Sequence, residues 1–219
     1  MTEESIAAGT TAAIHPAEEK DFFITPLVLT LAFTSGFIIM SIELLGGRIL
    51  APYFGSSIYV WGSIISIFMV SLSFGYLLGG RLSLNNPNLI QYGSFFVLAA
   101  VLVMPTTWFA NEMMDTVFLA VEDPRYGSLL ASVALFFLPT VVLGMIAPYS
   151  VRLLVMNAEH SGLVAGGLYF VSTLGSALGT LMTSFYLVLW FEMNQILLTM
   201  GAILVLVGSV AITYGWKQR

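Results

Sequence analysis

Residues 42–81 read IELLGGRILAPYFGSSIYVWGSIISIFMVSLSFGYLLGGR. An apolar run carries Glu43 and Arg48, breaks around Pro52 and Gly55, and resumes as a second apolar run ending in Gly79-Gly80-Arg81. Each run is long enough for a helix of ~20 residues that crosses the ~30 Å hydrocarbon core of a bilayer. A carboxylate and a guanidinium are costly there, so they are expected to face protein, water or a ligand rather than lipid.

The rest of the chain agrees with this stretch. Of its 219 residues, 58% are hydrophobic and 9% charged, with a mean hydropathy of +0.94; a soluble domain carries about 25% charged residues. There is no cysteine, which removes disulfides, thiol catalysis and cysteine-ligated clusters. His15 and His160 stand apart in polar segments, so neither is expected to bind a metal. No cofactor is expected.

Outward from residues 42–81, the expected fold is all-α and polytopic, with six transmembrane helices. Residues 1–21 are polar and acidic and read as a disordered cytosolic tail. The transmembrane domain covers 22–216, and 217–219 form a cytosolic end. The spans are expected near 22–47, 58–80, 89–108, 127–146, 162–187 and 194–214. Ala51-Pro52-Tyr53-Phe54-Gly55-Ser56-Ser57 reads as the first turn. The connection at about 110–125 is acidic and amphipathic: Met113, Met114, Val117, Phe118 and Val121 fall on one side, Glu112, Asp115 and Glu122 on the other. It is either a surface helix or an extension of span three. Pro139 is expected to kink span four, with Pro148 just past its end.

Six spans put both termini on one side, and basic residues favour the cytosol. With the termini inside, Lys20, Arg81, Arg152, Lys217 and Arg219 lie inside and only Arg48 and Arg125 outside, 5 of the 7 cations against 2. The expected location is a plasma membrane of bacterial inner-membrane type, with cytoplasmic N and C termini.

Two inverted three-helix repeats, about 22–109 and 126–215, are expected. Ala51-Pro52-Tyr53 recurs as Ala147-Pro148-Tyr149, displaced by 96; Gly62 and Gly75 recur as Gly166 and Gly179, displaced by 104. An odd number of spans per copy inverts the second copy, the plan of half a major-facilitator transporter. Under the displacement of 96, Glu43 corresponds to Pro139. Gly75, Gly79, Gly175 and Gly179, and the pair Gly162 and Gly166, are placed for close helix packing.

Glu43 and Arg48 have three readings: a structural ion pair, with the helix broken at Gly46-Gly47 or the Arg folded back; a site for a cationic or zwitterionic ligand; or a snorkelling Arg beside an independent Glu. A ligand site here would include Tyr53 and Trp61, which otherwise serve as interface belt and packing. Arg81, Arg152, Lys217 and Arg219 either follow the positive-inside pattern or meet a cytosolic partner. No nucleotide loop, catalytic triad or basic patch for nucleic acid is present.

The segments GGRILAPYFGSSIYVWGSIISIFMVSLSFGYLLGGRLS and FLPTVVLGMIAPYSVRLL resemble the membrane domain of spermidine synthase-like proteins, the fused major-facilitator/spermidine synthase family. In that family the membrane part precedes an aminopropyltransferase domain that takes decarboxylated S-adenosylmethionine and a diamine. Neither its nucleotide loop nor its catalytic acids occur here, so the resemblance implies a non-catalytic membrane partner, not an enzyme. A separately encoded soluble spermidine synthase-like protein, recruited at the inner face, and a cationic, polyamine-like ligand are the expected partners besides lipid. The alternatives are a six-helix transporter unit working as a homodimer, and a structural subunit of a larger membrane complex.

Overall fold

The computed structural model describes residues 16–155 and 161–218, with side chains from Ile24 onward. Among the described residues there is no strand. His15, His160, Arg219 and the side chain of Lys20 lie outside the description.

Helix α1 spans Pro16–Phe54, α2 Ile58–Leu82, α3 Leu89–Val103 and α4 Thr106–Ala120. Helix α5 spans Pro124–Gly144 and α6 Ile146–Leu154; then come α7, Ser161–Met182, a π-helical turn at Thr183–Leu187, α8, Val188–Trp190, and α9, Met193–Lys217. Five stretches are long and apolar enough to cross a membrane, and a sixth arises if α3 and α4, bent by 49° to one another, form one span.

Several boundaries differ from expectation, each for a local reason. α1 starts at Pro16, inside the expected tail, because proline suits a first helical turn. It runs unbroken through Gly46-Gly47 and past Pro52. A proline in a last turn disrupts little, so the chain turns at Gly55 instead, which takes φ +78, a conformation glycine adopts without a Cβ penalty. The expected third span breaks at Met104-Pro105, and the amphipathic segment is the separate helix α4. Pro148 lies inside α6, so α5 and α6 together make a 31-residue stretch.

Three helix pairings hold the bundle: α1 on α7, α2 on α5 and α3 on α9. Glycine sets the first two. A Cβ on Gly75 would lie 2.7 Å from the Gly144 Cα, and one on Gly79 2.6 Å from the Met145 Cα. On α7, a Cβ on Gly175 would lie 2.9 Å from the Phe33 carbonyl carbon, and one on Gly179 2.8 Å from the Phe37 Cα. No side chain fits in these contacts, and van der Waals packing takes the place of the hydrophobic drive that lipid does not supply. Gly93 and Gly208 bring α3 and α9 together in the same way. Gly162 and Gly166, in contrast, have no neighbour among the described residues where a Cβ would stand, and Gly166 lies on the outer face of α7 with Tyr169 and Thr173.

The contacts also give direction. On α1 and α7, Phe33 meets Gly175, Phe37 meets Gly179 and Ser41 meets Thr183, so the two helices run parallel. On α2 and α5, Ser63 meets Ser128, Phe68 meets Phe136 and Gly79 meets Met145, again parallel. On α3 and α9, Ile90 meets Gly215 and Met104 meets Gly201, so these two are antiparallel. Ile24, Asn88, Leu153 and Gln218 line one pocket, which puts the start of α1 and the end of α9 at one end of the bundle. Phe54, Phe118 and Gly127 meet at the other.

Gly75→Leu and Gly179→Leu should each destabilise the bundle by about 1–3 kcal/mol or more, because backbone rather than a movable side chain must yield. Gly166→Leu should be neutral. Thermal unfolding of the purified chain in detergent separates these outcomes.

Candidate functional site

Glu43 sits on α1 four residues past the middle of the apolar stretch Ile24–Phe54, about 6 Å from its centre at ~1.5 Å per residue. Its side chain is half-buried. Among the described residues no ion pair reaches it, and the expected bridge to Arg48 is not formed. The reason is geometric: residues five apart on an unbroken helix point about 140° away from each other, outside the i, i+3 and i, i+4 spacings that meet.

Arg48 is exposed and turns to α8, where its Nη1 donates to the Val188 carbonyl oxygen at 3.2 Å. That carbonyl lies in the last turn of a helix, where it has no intrahelical donor, and a cation at a helix C-terminus is also favoured by the dipole. Arg48 therefore caps the chain where α8 ends.

The two glycines between them have a packing role. A Cβ on Gly47 would lie 2.6 Å from the Trp61 ring, and one on Gly46 3.1 Å from the Phe136 ring. Trp61 of α2 is thus seated against α1 at Gly47, the residue before Arg48. Tyr53 faces away from this region: its ring packs edge-on to Phe118 at 6.2 Å, and its hydroxyl lies beside the Asp115 carboxylate of α4. Glu43 and the Gly47 contact of Trp61 lie one turn apart on α1, Arg48 points elsewhere, and Tyr53 fastens α1 to α4.

Below Glu43, a hydroxyl chain crosses the α1–α7 seam. Thr183 Oγ1 donates to Ser41 Oγ at 2.8 Å, and Ser41 Oγ donates to the Phe37 carbonyl at 2.8 Å. Both side chains are buried. Thr183 opens the π-helical turn, so the hydroxyls sit where the α7 ladder changes register. A second buried cluster lies at the opposite end. Tyr149 Oη accepts from the Asn88 N–H at 3.0 Å and donates toward Gln91 Oε1 at 3.1 Å, while Tyr92 Oη and Ser150 Oγ are 2.6 Å apart. Tyr92 and Tyr149 stack with centroids 5.9 Å apart.

Arg81, Arg152 and Lys217 are exposed, at the helix ends on the side where Ile24 and Gln218 meet. At the other end the acids serve as caps. Asp123 Oδ1 accepts from the Arg125 N–H at 2.9 Å, and Glu192 forms a capping box with Gln195. Arg125 lies 4.7 Å over the Tyr59 ring, a cation–π contact. Sequence reasoning missed Ser41, Thr183 and the Tyr92–Tyr149 pair. Hydroxyls in apolar helices look alike in sequence, and only the cross-helix register picks out the ones that meet.

No family model, curated protein or solved structure matches this chain.

Tyr149→Phe leaves the Asn88 N–H and Gln91 Oε1 without that partner and should cost about 1–2 kcal/mol. Thr183→Val removes a single hydrogen bond within an apolar seam and should cost only about 0.6 kcal/mol. Equilibrium unfolding of both variants in mixed micelles checks the ranking; equal losses would mean that the Tyr149 cluster is no stronger than the seam.

Proposed function

We propose that this chain is a non-catalytic integral membrane protein that binds a cationic, polyamine-like small molecule at Glu43. One observation carries this reading: an acid near the middle of a 31-residue apolar stretch has no cation paired with it among the described residues. An unpaired carboxylate at that depth is a functional residue by default, because lipid does not solvate it. Arg48 is committed to the Val188 carbonyl, so it does not neutralise the acid in advance. Trp61, on the adjacent turn, offers an aromatic surface that attracts cations. The resemblance to the membrane part of spermidine synthase-like proteins supplies the ligand class. It also supplies the partner: a soluble synthase-like protein docking on Arg81, Arg152 and Lys217, which lie exposed at one end.

Glu43→Gln removes the charge and keeps the shape. Spermidine binding to the detergent-purified protein, measured by isothermal titration, should weaken about tenfold or more, the loss expected of a charged hydrogen bond. Binding unchanged in Glu43→Gln would overturn the reading.

The second reading, a six-crossing transporter unit that pairs as a dimer, is favoured by the symmetry of the contacts. Phe37 with Gly179 and Val141 with Gly75 are the same contact displaced by 104 in each partner; so are Ser41 with Thr183 and Met145 with Gly79. An inverted repeat produces this exchange. In that register Glu43 corresponds to Ala147, not to Pro139, and the Ala-Pro-Tyr match at 96 does not follow the packing. The parallel runs of α1 with α7 and of α2 with α5 then require α3 and α4 together to carry the chain across. The α7 span is only 17% buried and α2 33%, against 61% for α5–α6, leaving a face open for a second copy.

The chain has no native cysteine, so single-cysteine variants test the crossing directly. Asn86→Cys and Asp123→Cys should react with an impermeant maleimide from opposite sides of oriented vesicles. Labelling from the same side would make α3 and α4 a re-entrant hairpin.

A further inference from the structure

A groove of about 320 Å³ opens on the side of the bundle, between α1, the end of α7 and α9. Phe37, Leu187, Ile196, Met200 and Ile203 line it, with Gln195 and Thr199 as its polar edge. Its wall at Leu187 is one residue from Val188, whose carbonyl holds Arg48. Phe37 and Arg48 lie eleven residues apart on α1, within about 20° of the same stripe, and about 16 Å apart along the axis. That length is close to half of the ~30 Å hydrocarbon core, the depth of one leaflet. Phe37 is near the middle of the apolar stretch Ile24–Phe54 and Arg48 is six residues from its end, so the line from the groove to the guanidinium covers the outer half of that stretch. Exposed Trp190 and Phe191, beside Val188, mark that interface.

The chemistry at the two ends differs as it does in a phospholipid. The deep end is apolar. At the rim, Arg48 uses Nη1 on Val188 and keeps the rest of its planar donor fork for an anion; guanidinium is the side chain best matched to phosphate oxygens. Gln195 Oε1 accepts from the Glu192 N–H at 3.2 Å, which directs its amide at this rim while leaving its NH2 as a donor for an ester carbonyl. Charge, depth and length therefore select one occupant. We propose that this groove is a specific site for an anionic phospholipid, with its phosphate on Arg48 and one acyl chain lying along the Phe37 stripe toward the midplane.

The site is separate from Glu43, which lies on another side of α1, so its test does not depend on the polyamine reading. Native mass spectrometry of the full chain, purified in detergent and titrated with dioleoyl phosphatidylglycerol, should show one saturable adduct. Arg48→Gln should weaken it about tenfold, as loss of a charged hydrogen bond does. Ile203→Trp fills the deep end, leaves Arg48 in place, and should weaken it to a similar degree; Leu77→Trp, on the exposed face of α2, should not. Because Arg48→Gln also removes the cap on Val188, the Ile203 variant carries the test if the first fails to fold. Absence of a saturable adduct, unchanged affinity in Ile203→Trp, equal weakening in Leu77→Trp, or displacement of the adduct by inorganic phosphate at comparable concentration would each overturn the proposal.

Discussion

Backbone contact at glycine governs this bundle. In water, helices associate to hide apolar faces; in lipid that gain disappears, since acyl chains are as apolar as leucine. What remains is the number of atoms brought to van der Waals distance, and that number rises when Cβ is absent. Gly75, Gly79 and Gly144 press α2 on α5, and Gly175 and Gly179 press α1 on α7. Once those two parallel pairs form, α1 and α5 occupy the middle and α2 and α7 the margin. The buried fractions of the spans follow that order.

Helices this close leave little room for polar side chains, and several of those present bond to each other across the seams. Ser41 and Thr183 bridge the α1–α7 seam, Ser63 and Ser128 lie 3.2 Å apart across α2–α5, and Tyr92 meets Ser150 across α3–α6. The π-helical turn at Thr183–Leu187 belongs to the same economy. It follows the Gly179 contact and opens with the buried Thr183, and just past it the Val188 carbonyl goes to Arg48.

The apolar spans were legible in the sequence because lipid imposes a length and an absence of charge, and both can be counted. Gly75, Gly79, Gly175 and Gly179 were legible for a related reason: four-residue spacing puts small residues on one face of a helix. Gly162 and Gly166 have the same spacing and pack against nothing, since spacing says which face is smooth but not whether a neighbour lies there. The ion-pair reading of Glu43 and Arg48 needed a helix break at Gly46-Gly47 or an Arg folded back, and neither occurs: the helix continues and the Arg turns to Val188. Glycine lowers helix propensity by about 1 kcal/mol, which the fit of the Trp61 and Phe136 rings against these two positions readily offsets. The turn read at residues 51–57 begins only at Gly55, because proline is a strong breaker inside a helix and a weak one in its final turn.

The separation of Glu43 from Arg48 has the largest consequence for function. Had the two formed a bridge, each would have met the other's need and neither would be available to a ligand. A helix that stays intact through Gly46-Gly47 turns them to different neighbours. Arg48 reaches the Val188 carbonyl at a helix end and stays exposed. Glu43 stays half-buried in the apolar stretch, where a charge is costly until a counter-ion arrives. Two glycines that accommodate aromatic rings thus keep one helix intact and separate an acid from a base that the sequence sets close together.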